Sequence, residues 1–279
     1  MDSLKSFFLT ACILAAPLIL AAMGGLLSER SGVMNIALEG KMLSAACAGF
    51  IVSSTTGNPF FGVLAGIAAA VLLSLLHAVL TQTYKIDHIV SGMGINAIAF
   101  GGTRFFREKF GGDQAAAASF SVWLYAGLGL VAALFLAWYV RSWRGGVRLM
   151  AVGEDPEKSR QNGLDPVLVR FRALIGTGIL CGLAGCLIVT NAGSFSDGMT
   201  AGKGYIALAA LILGGWRPLP TLFACIAFGF IDGVQILFQG SKGLALPSEA
   251  YTALPYLATL LALSLWKQQS PAPDGLGKP

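Results

Sequence analysis

Long apolar stretches separated by short polar connections repeat along almost the whole chain. A helix needs about 20 mostly apolar residues to cross a bilayer. Nine segments are candidates for such spans: residues 7–27, 33–54, 60–80, 88–103, 120–140, 173–190, 204–216, 219–239 and 252–266. The fourth, seventh and ninth are short, and short, glycine-interrupted segments often mark broken helices along a transport path. The pattern predicts an all-α, polytopic membrane bundle over residues 1–266, with some broken or short helices.

Glycine spacing indicates how these helices pack. Gly62 and Gly66 are separated by three residues, and so are Gly178 and Gly182. Small residues at this spacing let two membrane helices approach closely. We therefore expect a tightly packed bundle, and the spacing carries no information about a substrate.

The composition excludes a soluble domain. Charged residues make up 12% of the chain and hydrophobic residues 55%, whereas a soluble domain has about 25% charged residues. The net charge of +5 is small and clustered, so it indicates membrane topology and predicts no nucleic-acid partner. No set of Cys and His residues has the spacing of metal ligands, so no metal site is predicted.

The distribution of Lys and Arg predicts the orientation. The loop from Arg141 to Arg172 holds seven of the nineteen Lys and Arg residues, and basic loops lie on the cytoplasmic side. Alternation then places twelve basic residues inside and six outside, with Lys41 within a span. The amino terminus is thus expected outside and the carboxyl terminus in the cytoplasm of a multi-pass protein. The basic cluster from Arg104 to Lys109 is the exception, because it lies on the outer side. The polar tail at 267–279, rich in Pro and Gly, is predicted to be disordered.

The basic loop also contains the signals of a short helix. Asp155 is a favourable N-cap and Pro156 suits the first helical position, while Glu157 suits the positive end of the helix. Asn162 and Gly163 form a typical stop. A helix of about two turns is not stable alone. It is therefore either an ordinary loop helix packed on its own bundle or an element that docks on a partner.

Polar residues within the spans are candidates for a translocation path. Glu39 and Lys41 are costly in a bilayer and should face the bundle interior or a water-filled path. They are two residues apart, so they should not pair on a helix. Glu39 could instead reach Arg30, or a backbone amide where it locks a broken helix.

Three neutral polar residues complete this set. Asn35 can donate and accept hydrogen bonds to a substrate. Ser91 and Asn96 interrupt the fourth apolar segment, where they either line the path or form hydrogen bonds between helices.

No motif for catalysis or nucleotide binding is present. Residues 198–204 (GMTAGKG) differ from a phosphate-binding loop, because the spacing is one residue short and no Ser or Thr follows Lys203. The chain also lacks GxSxG and HExxH motifs. We expect a protein that is not an enzyme and holds no cofactor, so that any ATP and Mg²⁺ are bound by a partner.

Three stretches resemble the ABC importer permeases of the sugar and nucleoside class, in the branched-chain amino acid and ribose-type superfamily. The run RLMAVGEDPEKSRQNGLDPVLVRFRAL resembles the loop whose coupling helix inserts into the ATP-binding subunit. SERSGVMNIALEGKML, residues 28–43, and TAGKGYIALAALILGGWRPL, residues 200–219, resemble the two other family signatures in matching order and spacing. The similarity covers nearly the whole chain and is closest to the nucleoside-type branch, whose binding proteins are basic-membrane-protein-like lipoproteins.

This resemblance implies an ATP-driven importer of nucleosides in a bacterial-type cytoplasmic (inner) membrane, with sugars or riboflavin as alternatives. The implied partners are an ABC ATPase, a second permease that is identical or different, and an extracytoplasmic substrate-binding lipoprotein. The predicted contacts with the ATPase come from one segment: Gly153, Glu154, Asp155, Pro156, Glu157, Lys158, Asn162 and Gly163. An ion-coupled secondary transporter, which would need ion sites in the membrane, is the main rival. A membrane-embedded enzyme and a scaffold without transport are further alternatives.

Overall fold

The computed structural model describes residues 2–110, 120–240, 253–265 and 272–278. Within these ranges every regular element is a helix, as the apolar pattern predicted. The helices are α1 (Asp2–Arg30), α2 (Leu38–Thr56), α3 (Pro59–Ala78, continued by a π-helical turn at Val79–Thr83), α4 (His88–Phe110), α5 (Val122–Ser142), α6 (Arg144–Glu154), α7 (Pro156–Gln161), α8 (Pro166–Ala192), α9 (Lys203–Leu213), α10 (Pro218–Gly240) and α11 (Leu254–Leu265).

Each of the nine predicted segments overlaps one of these helices, and α6 and α7 lie in the basic loop. Among the residues that the structure describes, five helical stretches are long and apolar enough to cross a membrane: Phe7–Arg30, Pro59–Thr83, Val122–Ser142, Pro166–Ala192 and Pro218–Leu237. The fold class is confirmed, and the number of nine crossings stays a prediction.

Helix α1 forms the centre of the bundle. It packs against α5, α8, α9 and α10, and its side chains Leu18, Leu20, Met23 and Leu26 are fully buried. Helix α2 packs against α3, α4 and α8 on the other side of the molecule. Helix α1 is apolar on most of its faces, because most of its faces pack against other parts of the protein.

The predicted close approach of glycine-bearing helices is confirmed. A Cβ atom added at Gly178 would lie 2.7 Å from Val71 Cα, and one at Gly182 would lie 2.6 Å from Ile67 Cα. Both glycines therefore let α8 lie backbone to backbone against α3. At Gly62 the added atom would lie 2.8 Å from the Gly49 carbonyl oxygen, which gives the same close packing between α3 and α2.

Among the described residues, the two longest non-helical connections between helices each separate two helices of the bundle. The first break, residues 31–37, separates α1 from α2, and the second break, residues 193–202, separates α8 from α9. Gly193 ends α8 with a φ of 70°, and Gly202 precedes α9 with a φ of 76°. These left-handed conformations favour glycine, since it has no Cβ to clash. The predicted short seventh segment corresponds to the 11-residue α9.

The short helix in the basic loop is present with its predicted start and stop. The Asp155 side chain accepts a hydrogen bond of 2.9 Å from the Lys158 backbone N–H, and Pro156 is the first residue of α7. Asn162 follows the helix, and Gly163 has a φ of 79°. A second Asp-Pro pair, Asp165 and Pro166, begins α8 in the same way.

The tail requires a correction to the predicted disorder of residues 267–279. Residues 267–271 and 279 lie outside the described residues, whereas residues 272–278 form a turn against the bundle. The backbone N–H groups of Gly275 and Gly277 donate to carbonyl oxygens of Gly153 and Gly32. Composition correctly indicates that this tail cannot build its own core. It does not account for backbone hydrogen bonds with a surface that is already formed.

Candidate functional site

The second break is held by the carboxylate of Glu39, at the start of α2. Its Oε1 atom accepts hydrogen bonds from Thr200 Oγ1 at 2.6 Å and from the Gly202 N–H at 2.8 Å. Its Oε2 atom accepts one from the Gly204 N–H at 2.6 Å. Glu39 is 1% exposed. A carboxylate in this place satisfies N–H groups that α9 leaves unpaired and complements the positive end of its dipole.

The contacts of Glu39 match the interpretation of a lock on a broken helix, and the predicted backbone amides are its partners. Gly204 is needed for this contact, since an added Cβ would lie 2.5 Å from the Glu39 nitrogen and 2.6 Å from its Cα. Any larger residue at this position would push α9 away from α2.

Two other helices contact the same short turn. Lys203 Nζ forms an ion pair of 3.0 Å with Asp232 Oδ2 of α10. Tyr256 Oη of α11 donates to the Ala201 carbonyl oxygen at 2.6 Å. The start of α9 is therefore fixed by α2, α10 and α11 together. A cleft of about 200 Å³ opens beside it, and its polar lining residues include Lys203, Asp232, Gln235 and Tyr256.

Asn96 of α4 connects the two breaks. Its Oδ1 atom accepts a hydrogen bond from the Gly40 N–H at 2.8 Å, next to Glu39. Its Nδ2 group donates to the Ile36 carbonyl oxygen of the first break at 3.1 Å and to Tyr205 Oη of α9 at 2.9 Å. The Asn96 side-chain amide therefore forms hydrogen bonds with three different segments, with its oxygen as acceptor and its NH₂ group as donor.

The first break has a polar network of its own. Lys41 Nζ donates to Asn35 Oδ1 at 2.9 Å, and Asn35 Nδ2 donates to Ser28 Oγ at 3.0 Å. Lys41 and Asn35 are fully buried. Glu39 and Lys41 therefore bind different breaks. They do not pair with each other, which is what their spacing of two residues predicted.

Two histidines hold the middle of the first break. His77 Nε2 lies 3.1 Å from the Met34 carbonyl oxygen, and His77 Nδ1 lies 2.9 Å from Ser91 Oγ. The carbonyl can only accept, so a neutral His77 carries its proton on Nε2, and Ser91 donates to Nδ1. The Met34 N–H donates to His88 Nδ1 at 3.2 Å. This arrangement fixes the backbone of Met34 on both sides.

The first break is also tied to the basic loop. Arg170 of α8 donates from Nε to the Ser31 carbonyl oxygen at 3.1 Å and from Nη1 to Gln82 Oε1 at 2.8 Å. Arg30 Nη1 lies 3.5 Å from Glu154 Oε1 of α6. Movement of α6 or α8 would therefore act on the end of α1 and on the break that follows it.

The residues predicted to contact an ATPase form a continuous segment at α7. Gly153 is buried against the bundle, whereas Glu157, Lys158, Asn162 and Gly163 are exposed and available to a partner. Asp155 and Pro156 are partly buried, and Glu154 is exposed. Their role in coupling stays a prediction.

The four residues predicted for the path, Asn35, Glu39, Ser91 and Asn96, are all buried and surround the two breaks. Their assignment to a translocation path stays a prediction.

Several residues that hold the two breaks or the start of α9 were not identified as site residues from the sequence: Arg170, Thr200, Lys203, Tyr205 and Tyr256. Asp232, the ion-pair partner of Lys203, was not predicted as a site residue either. The dense Gly, Ser and Thr residues of 193–204 could have indicated a broken helix. The residue that binds this segment could not have been found from the sequence, because Glu39 lies more than 160 residues away from Thr200.

The chain matches one protein family along most of its length and is similar to ABC transporter permeases. Residues 7–263 match the family described as the branched-chain amino acid transport system permease component. The chain is 32% identical to the guanosine ABC transporter permease of Bacillus subtilis, covering 96% of this chain and 93% of that protein. It is 29% identical to the nucleoside ABC transporter permease of Lactococcus lactis, covering 99% and 96%. It is 31% identical to a Haloferax volcanii permease assigned to glucose ABC transport, covering 94% and 92%.

A solved structure has the same fold. It is an inward-facing conformation of an ABC transporter assigned to the metal-chelate type, with a TM-score of 0.55 and 17% identity. The match covers 93% of this chain and 85% of that one.

Proposed function

Since the chain belongs to the branched-chain amino acid transport system permease family and is an ABC permease subunit, we propose that it imports nucleosides. The observation that carries this substrate class is its similarity, along nearly its whole length, to permeases for guanosine and nucleosides. A sugar is the second candidate, because the relative assigned to glucose transport is similar to the same degree.

The proposed assembly contains three partners. A second permease completes the path, an extracytoplasmic lipoprotein delivers the substrate, and an ABC ATPase binds ATP and Mg²⁺. Segment 153–163 contacts the ATPase, because α7 presents exposed polar residues at the end of the bundle where the first break meets the basic loop. Closure of the ATPase would push α7, and Arg30 and Arg170 would carry that movement to residues 31–37.

The proposed orientation places the basic loop in the cytoplasm and the amino terminus outside. One observation supports it: Arg30, the loop and residues 272–278 lie at one end of the bundle. The basic cluster from Arg104 to Lys109 stays an exception to this orientation, although Arg104 pairs with Glu108 at 3.3 Å and Arg107 with Asp197 at 3.1 Å.

Substrate competition tests the proposal. The assembled transporter in proteoliposomes takes up labelled guanosine, and unlabelled nucleosides, glucose and riboflavin are added in excess. We expect nucleosides to reduce uptake of the label and glucose and riboflavin to leave it unchanged. Uptake of labelled glucose that nucleosides do not reduce would support the sugar alternative and refute the nucleoside assignment.

A further inference from the structure

A cleft of about 240 Å³ opens between α5, α6 and α8, at the end of the bundle that carries the basic loop. Its apolar lining comes mainly from Leu27, Phe135, Leu136 and Leu149. Arg148 and Arg172 are also part of its lining, and no carboxylate is. The cleft therefore combines an apolar floor with positive charge.

The two arginines have no counter-ion among the described residues. Arg148 and Arg172 are exposed, and no ion pair is formed by either within residues 2–110, 120–240, 253–265 and 272–278. Arg141 and Arg144, which are close in sequence, are exposed as well. The charge at this cleft is therefore available to an anionic occupant.

Aromatic side chains place the cleft at the level of lipid headgroups. Trp138 and Trp143 are each 50% exposed, and their ring centres are 5.4 Å apart. Tyr139, which lines the cleft, stacks on Phe135 at 5.9 Å. Exposed Trp and Tyr residues at helix ends are typical of the membrane interface. Basic pockets between helices at this level recognise acidic lipid headgroups.

We propose that this cleft binds an anionic phospholipid. The phosphate would lie between Arg148 and Arg172, and an acyl chain would follow the apolar floor toward Leu27. Neither residue belongs to the breaks or to segment 153–163, although both lie in the basic loop.

Lipid retention by the purified transporter tests this site. Native mass spectrometry would compare phosphatidylglycerol with phosphatidylcholine for wild type, for R148Q/R172Q and for the control R104Q/R107Q. The control removes two arginines at the opposite end of the bundle. Each basic residue near an anionic headgroup contributes about fivefold to binding, so the loss in R148Q/R172Q should be about 30-fold.

We expect wild type and the control to retain phosphatidylglycerol in preference to phosphatidylcholine, and R148Q/R172Q to lose this preference. Equal retention of the two lipids by wild type, or an unchanged preference in R148Q/R172Q, would overturn the proposal. A second experiment adds free inorganic phosphate to the transporter with its bound lipid. Displacement of the lipid by millimolar phosphate would indicate a phosphate site and would also overturn it.

A second inference comes from residues 272–278. The Gly275 N–H donates to the Gly153 carbonyl oxygen at 2.9 Å, and the Gly277 N–H donates to the Gly32 carbonyl oxygen at 2.9 Å. Leu276 packs on the apolar cluster of Leu26, Leu211 and Trp216. The segment thus connects the junction of α6 and α7 with the residues that follow α1.

The fit at this junction is tight. A Cβ added at Gly275 would lie 2.6 Å from the Gly153 carbonyl oxygen and 3.2 Å from Pro156 Cδ. Pro156 is the first residue of α7. The segment therefore contacts the residue from which α7 begins.

We infer that residues 272–278 act as a strap that holds α7 in register with the end of α1, so that force on α7 moves the first break. This role rests on the proposed coupling to an ATPase. Without the strap, α7 could move while residues 31–37 stay in place.

The strap is tested by G275V and L276D, with K278A as the control because Lys278 is exposed. Hydrogen exchange should show protected amides at residues 275 and 277 in wild type and K278A, and rapid exchange in G275V and L276D. In proteoliposomes these two variants should keep the ATPase but transport several-fold less substrate per ATP.

Rapid exchange of residues 275 and 277 in wild type would overturn the inference. So would normal transport per ATP in a variant whose segment has become unprotected. The exchange measurement needs no ATPase, so it remains informative if wild type shows no ATP-driven uptake, which would instead contradict the proposed function.

Discussion

Replacing Glu39 with Ala should be the most damaging single change at the second break. The carboxylate accepts three hydrogen bonds, from Thr200 Oγ1 and from the backbone N–H groups of Gly202 and Gly204. A buried donor left without a partner costs about 1–3 kcal/mol, so three of them cost roughly 3–9 kcal/mol if no water replaces the carboxylate. The loss should separate the start of α9 from α2.

Glu39→Gln gives a graded comparison. Its amide oxygen can keep the bonds from Thr200 and Gly202, while its NH₂ group would face the Gly204 N–H, donor against donor. Only one of three contacts is lost, so we expect a cost of about 1–3 kcal/mol. Glu108→Ala is the matched control, because Glu108 is exposed and, within the part of the chain that the structure describes, its ion pair is with Arg104 on the same helix. Exposed pairs of this kind contribute about 0–1 kcal/mol.

Thermal unfolding of the detergent-solubilised protein measures the stability of these three variants. Uptake in proteoliposomes measures the effect of each substitution on transport. We expect the midpoint to fall most for E39A, less for E39Q and little for E108A, with uptake lost in E39A. Wild-type stability in E39A would refute the reasoning, since it would mean that the carboxylate does not hold α9.

Three further changes test other parts of the structure. Asn96→Asp should lower the unfolding midpoint more than Asn96→Ala, because a carboxylate cannot donate to the Ile36 carbonyl oxygen or to Tyr205 and would face that carbonyl directly. Gly182→Leu should prevent correct assembly of α8 on α3, whereas Gly94→Leu should be tolerated because an added Cβ there meets nothing within 4 Å; size-exclusion chromatography distinguishes the two. Asp155→Ala should weaken co-purification of the ATPase. The hydrogen bond from the Lys158 backbone N–H lowers the pKa of Asp155 from its usual 3.8. The Asp155 carboxylate is therefore ionised and caps α7 fully above pH 3.8, and the cap is lost only as the pH falls through the lowered pKa. Titration of Asp155 should therefore cause no change in association between pH 5 and 8, and a loss that followed this group in that range would contradict the assignment.

The sequence predicted the helices well because the bilayer imposes a simple rule. Each apolar segment of suitable length became a helix, and the Asp155-Pro156 and Asn162-Gly163 pairs marked the ends of α7 correctly. The start of α8 was placed at residue 173, seven residues late. Arg170 and Arg172 lower the local hydropathy, although Arg170 is in fact 2% exposed and bonded to Ser31 and Gln82.

The candidate site was only partly predictable, for a physical reason. The sequence shows that a buried Glu39 must find hydrogen-bond donors, but it does not show which groups supply them. Which donors it finds depends on how α2, α8 and α9 pack, and that packing joins residues far apart in the chain. Asn96 illustrates the same limit, since its three partners lie in segments that only the fold brings together.

Uptake by the reconstituted transporter tests the central claim most directly. The permease, its ATPase, a second permease and the binding protein are placed in proteoliposomes, with residues 154–163 of this chain either wild type or scrambled. ATP-driven nucleoside uptake should occur with wild type and disappear with the scrambled segment, while the permease still inserts in the bilayer. Full uptake after scrambling, or uptake by this chain alone that stops when an ion gradient is collapsed, would contradict it.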